Sequence, residues 1–146
     1  MRGSRSTFLN EGVASMTIEL MNPAGLSVPA SYSQVAVATG TRLVFVAGQV
    51  SDDEEGNLVG PDDRALQARQ AFANVGRALA AAGARPDQVA RITIYVVHHR
   101  PEYLPAISEA RIAVFGDHRP ADVVLGVEAL AHPDLLIEVD AFAVVD

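Results

Sequence analysis

The stretch from Asp62 to Val97, DDRALQARQAFANVGRALAAAGARPDQVARITIYVV, decides the fold class. Phe72, Val75, Leu79 and Ala82 recur at the three-and-four spacing that gathers side chains on one helix face, and Asp62 or Asp63 offers a short acceptor to the free N–H groups of the first turn. Gly83 supplies the stop, and the Ala-rich run Ala78 to Ala84 suits a helix end packed closely on a sheet. Pro86 to Val89 leads into Ala90 to Val97, whose centre, RITIYVV, has the β-branched and aromatic content of a strand. A helix feeding directly into such a strand points to a layered α+β arrangement.

Working outward, Tyr103, Ile107, Ala110 and Val114 mark a second helix, ended by Gly116 and Pro120. Ala121 to Leu130 and Leu135 to Val145 then read as strands on either side of the turn His132-Pro133-Asp134. On the N-terminal side, Met16 to Leu20 is a candidate short strand followed by a turn at Asn22-Pro23-Ala24-Gly25. Tyr32 to Thr39 and Arg42 to Val50 are β-branched runs separated by Gly40-Thr41, a spacing that predicts an antiparallel hairpin. Acidic Ser51 to Asp63, with Gly56, Gly60 and Pro61, is a surface loop. The order is β-β-β-α-β-α-β-β, an α+β domain with two helices on one face of a mostly antiparallel sheet. The other sheet face is left needing cover, which implies oligomerisation.

With 146 residues the chain suits one domain, assigned to residues 16–146, and residues 1–15 read as a flexible leader or expression scar without the apolar core of a signal peptide. Every apolar run is interrupted well short of a membrane span. A net charge of -7 and eleven scattered basic residues, all of them Arg, argue against nucleic-acid binding. With no cysteine there is no disulfide and no thiolate chemistry, and a cytoplasmic location fits. His98-His99 are neighbours on an extended chain and point to opposite faces, so a solvated loop is the better account than a metal site. Neither His118 nor His132 has a ligand-spaced companion, and no nucleophile elbow, phosphate loop or dinucleotide fingerprint occurs. No metal or cofactor is expected.

An ordered set of short motifs runs through the chain: Asn22-Pro23, Tyr32-Ser33-Gln34, Ala47-Gly48-Gln49-Val50, Gly56-Asn57-Leu58-Val59-Gly60, Gln67-Ala68-Arg69-Gln70, Asn74-Val75 and Leu79 to Ala84. Ile92 to Val96, Pro120-Ala121 and Leu136 to Ala143 continue it. In this the sequence, from about Met21 to Val145, resembles the RidA/YjgF reactive-intermediate deaminase family. The resemblance implies a chorismate-mutase-like subunit, a homotrimer, and small-molecule clefts at the subunit interfaces. It also implies hydrolysis of enamines and imines to ketoacids and ammonia without cofactor or metal. Such chemistry needs an oriented water, a managed proton and a hold on the substrate.

Carried over position by position, the resemblance makes Glu138 the pocket glutamate that positions or activates water. Without the resemblance, the better account of Glu138 is an ordinary polar residue alternating outward with Asp140. Tyr32 matches an aromatic bordering the cleft, or is a Tyr packed at a strand end with its hydroxyl wetted. Gly48 matches a close approach of backbone to ligand, or marks a bulge or a close packing contact. After Pro120-Ala121 the deaminases carry an arginine that clamps a substrate carboxylate. This chain has Asp122 there, with Val123, Val124 and Gly126 at commonly polar positions and Ser108 in place of an asparagine. A carboxylate at position 122 would repel a substrate carboxylate by about 1 kcal/mol or more. Arg119 or Arg111 could supply a substitute charge, although a regular strand would turn Arg119 to the opposite face. If Asp122 and Glu138 shared a cleft, their repulsion would raise one pKa and leave an acid and a base near neutrality; otherwise Asp122 caps a turn or faces solvent.

Three functions compete. The first is an imine or enamine hydrolase with altered substrate, using Glu138 and Asp122 as catalytic groups and Tyr32, Gly48, Ser108 and Val124 to bind. The second is a non-enzymatic trimer that binds a small molecule or partner. Ribonuclease activity comes last, given the acidic charge.

Overall fold

The structure is a computed structural model that describes residues 17–146; the expected leader, residues 1–15, lies outside them. Six strands and two helices follow in the expected order: β1 (Ile18–Met21), β2 (Val35–Ala38), β3 (Arg42–Gln49), α1 (Arg64–Ala81), β4 (Val89–Val97), α2 (Leu104–Phe115), β5 (Ala121–Val127) and β6 (Ile137–Val145). Single 3-10 turns at Pro86–Gln88 and Pro101–Tyr103 precede β4 and α2.

The main sheet has the order β3-β6-β4-β5, with β6 antiparallel to both neighbours and β5 parallel to β4. The parallel pair needs a crossover, and α2 provides it. The chain's final strand therefore lies in the middle of the sheet, where both edges of its backbone are paired. Residues 137, 139, 141, 143 and 145 of β6 are all buried, and with Ile92, Ile94 and Val96 they form the sheet's contribution to the core. From the helix layer come Phe72, Val75 and Leu79 of α1 and Ile107 and Phe115 of α2, with the Phe72 and Phe115 rings edge to face. Each fully buried large side chain contributes about 1.5–3 kcal/mol.

Asp63 is the residue that caps α1, accepting from the Leu66 N–H at 3.0 Å. Beyond the last turn Gly83 takes a φ of 74°, a conformation costly for other residues. Gln67 is fully buried and fully satisfied. Its amide nitrogen donates to the carbonyls of Gly60 and Asp134, and its oxygen accepts from the Leu136 N–H. One side chain thereby ties α1 to the loop that precedes it and to the turn before β6.

The hairpin expected across Gly40-Thr41 does not form. β2 pairs with β1 in a separate two-stranded ribbon, and β3 pairs with β6. Gly40 lacks the positive φ that a tight hairpin turn demands. A Cβ there would lie 2.7 Å from the Val145 carbonyl oxygen, and the Thr41 N–H donates to that same oxygen. The glycine permits the chain to cross closely over the end of β6.

The sheet face away from the helices carries Leu43 and Phe45 of β3, 59% and 70% exposed, and Leu125 of β5. Among the described residues nothing covers them, and no helix there is long and apolar enough to cross a membrane.

Candidate functional site

A cleft of about 500 Å³ opens between α2, the edge strand β5 and the segment before β2. Tyr32, Ser108, Asp122 and Val124 all line it, with Ile94, Ile107 and Val123 making its apolar wall. The approach of Tyr32 is held by its neighbour: the Ser33 hydroxyl donates to the Arg119 carbonyl at 2.6 Å, and the Ser33 N–H reaches the Pro120 carbonyl. Asn22 and Gln34 brace the same segment, the Asn22 side chain accepting from the Gln34 N–H while the Gln34 amide donates to the Ser27 carbonyl.

Asp122 pairs with Ile92 in the β4–β5 register, and Ile92 faces the helices. Strand alternation thus turns Asp122 toward α2. In this partly desolvated setting its carboxyl is pushed up to about 6 from 3.8; burial is the main cause, and the positive charges of Arg111 and Arg91 oppose it.

Arg111 is the cleft residue that sequence reasoning placed only as a possible substitute. It stands on α2 one turn beyond Ile107 and is 4% exposed. Its Nη2 reaches the Ser108 hydroxyl at 3.4 Å, while Nη1 is buried without a hydrogen-bond partner among the described residues. Burial lowers its pKa, and the Asp122 charge opposes that shift. A helical position four residues after a core isoleucine was the available signal, because i and i+4 share a face.

Glu138 and Gly48 lie elsewhere. Glu138 pairs with Tyr95 in the β4–β6 register and projects from the open sheet face. A Cβ on Gly48 would lie 2.7 Å from its carboxylate, so the glycine makes room for Glu138. The β3–β6 register also shifts between Val46 and Gln49, which places Gly48 in an irregular stretch as well as in a close contact. Within one chain Asp122 and Glu138 therefore sit on opposite faces of the sheet, and they do not form a dyad there.

His98 is exposed with a φ of 48°. His99, in contrast to the solvated loop expected, is half-buried: its ring lies 6.4 Å from that of Tyr103 and its Nδ1 is buried without a partner among the described residues. The Arg64 guanidinium stacks 4.0 Å over the other participant, Tyr103, and donates to the Val97 carbonyl.

The element order, the central last strand and the cleft beside the parallel edge strand define this molecule as a YjgF-type, chorismate-mutase-like α+β domain. The chain belongs to the family described as Endoribonuclease L-PSP, which it matches over residues 24–145. It is 33% identical over 112 residues to a RutC family protein of Pyrococcus horikoshii, a match that covers 77% of this chain and 85% of that one. Among solved structures it is similar to a conserved Rid-family protein of unknown function from Yersinia pestis, with 36% identity and a TM-score of 0.82 over 88% of this chain and 99% of that one. It is also similar to TdcF of Escherichia coli with bound serine, at 26% identity and a TM-score of 0.62, covering 80% and 90% of the two chains.

Proposed function

We propose that this chain hydrolyses a small imine or enamine in clefts between the subunits of a homotrimer, with a preference shifted away from carboxylate-bearing amino-acid imines. The observation that carries the reading is Asp122, a carboxyl raised to about 6 against an apolar wall. Such a group can protonate an imine nitrogen and take the proton back near neutral pH. Water adds to the imine carbon, the nitrogen gains the proton, and collapse of the carbinolamine releases ammonia and a carbonyl product. TdcF, which shares this fold, has been crystallised with bound serine, and this supports a small-ligand role for a chain of this kind.

In the proposed assembly the exposed Leu43 and Phe45 pack on a second copy. The Glu138 and Gly48 of one subunit are then brought to the Tyr32, Ser108 and Asp122 of its neighbour. Glu138 orients the attacking water, and Val124 and Ser108 shape the pocket. A carboxylate-bearing substrate meets repulsion from Asp122. A second reading, a trimer that binds without turnover, is favoured by the apolar Val123 and Val124 on the cleft wall. Ribonuclease activity remains the weakest reading for a chain of net charge -7.

The test is release of ammonia and carbonyl product from neutral imines and from freshly generated 2-aminoacrylate. Wild type is expected to turn over neutral imines, Glu138→Ala to lose that turnover by roughly 100-fold or more, and Asp122→Arg to gain activity on 2-aminoacrylate. Silence from all three proteins, with their assembly intact, would leave the binding trimer.

A further inference from the structure

Arg111 and Asp122 approach the same cleft from opposite walls, one from α2 and the other from β5. Each feels the other's charge, yet they form no direct ion pair; the ion pairs among the described residues are Arg85–Asp87 and Arg100–Glu102, both on the surface. The guanidinium is almost wholly buried, and its Nη1 hydrogens find no acceptor among the described residues. A buried donor left without a partner is unfavourable, so an acceptor supplied by a ligand recovers part of what its desolvation cost.

We propose that Arg111 and Asp122 form an open, charge-balanced donor–acceptor pair that recognises a neutral ligand group carrying C=O and N–H side by side, as in a carboxamide, urea or lactam. The carbonyl oxygen accepts from the Arg111 guanidinium, the N–H donates to the Asp122 carboxylate, and the apolar remainder lies on Ile94, Ile107 and Val124. The two side-chain charges already balance, so a neutral ligand adds no net charge to a largely apolar cleft. An anion would gain from Arg111 but lose to Asp122, and a cation the reverse. A zwitterion could satisfy both, but it must bring two full charges out of water. The assignment rests on the cleft being the ligand site of the proposed function and does not require hydrolysis.

Four probes with one phenyl body separate these cases: benzamide, benzoate, benzylammonium and the zwitterion phenylglycine. Their affinities for the full chain in its native assembly are measured by calorimetry at pH 7.5. Benzamide is expected to bind at least tenfold more tightly than each of the others. Asp122→Asn should reverse the order in favour of benzoate, because Arg111 is then uncompensated. Arg111→Met should lose the preference for benzamide. If Arg111→Met does not fold, the reversal in Asp122→Asn still decides. Tighter binding of benzoate, benzylammonium or phenylglycine to the wild type would overturn the inference, as would no binding by any probe to the folded protein. Benzamide preference without imine turnover would remove the hydrolase and keep the donor–acceptor pair; turnover without that preference would do the opposite.

Discussion

At residue 122 a carboxyl group is held where ionisation is unfavourable, and this has a sign that can be checked. The folded state binds the proton more tightly than the unfolded state, so the carboxyl's effect on stability is least adverse below about pH 4. Stability is then lost as pH rises through about 6. Asn at that position cannot ionise. The stability of Asp122→Asn relative to wild type, measured by urea unfolding, should therefore rise between about pH 4 and about pH 7 by on the order of 1 kcal/mol, because solvent reaches the half-buried carboxyl and screens the effect. A difference that stays flat across that range would show that Asp122 titrates like a solvated side chain. The identity of Asp122 was visible in the sequence, but its direction was not. Direction follows from the parallel register with Ile92, and register is a property of two strands. Arg111 was legible only as a possible substitute charge for a related reason, since a helix face that also holds Ile107 and Ala110 reads as core until the cleft beside it is known.

Among elements, α1 is the best specified by local chemistry, because its spacing, its Asp63 cap and its Gly83 stop all agree. The buried Gln67 adds a long-range tie that spacing could not reveal, although it lies in one of the motifs that carry the family resemblance. Gln67→Leu keeps the volume but strands two carbonyls and an N–H. We expect a loss of roughly 3 kcal/mol in urea unfolding, with the larger change in hydrogen exchange at Leu136. A near-neutral result would mean that water replaces the amide. The misplaced hairpin shows the opposite limit. Two adjacent β-branched runs around a glycine favour a turn by every local criterion, yet β1 and β6 were the better partners, and both lie outside any local window.

For the whole molecule, the open sheet face is the feature that an isolated chain handles worst. Leu43 and Phe45 together expose more apolar surface than single scattered residues would. If copies of the chain cover it, Phe45→Glu should convert the assembly to monomers in sedimentation velocity while leaving the far-ultraviolet dichroism unchanged. An unchanged sedimentation coefficient would mean that the face is not the contact. The need for cover was legible in the sequence, because two helices can shield only one side of a sheet. Which residues bear the exposure, and that Glu138 stands among them, required the pairing of β3 with β6.

The position of β6 sets the timing of folding. A nascent chain that has reached Val127 possesses both helices and all the other strands, but β3 and β4 have nothing between them to pair with. Their facing backbone groups stay open, and the hydrophobic residues of α1 lack the sheet they pack on. The decisive closure comes only when Ile137 to Val145 clears the ribosome and inserts between strands separated from it by up to about a hundred residues of sequence. Until then the chain offers two unpaired strand edges to any neighbour. A ribosome stalled before that strand would hold a sticky intermediate, so the interval before β6 emerges is the one in which this protein most depends on chaperones.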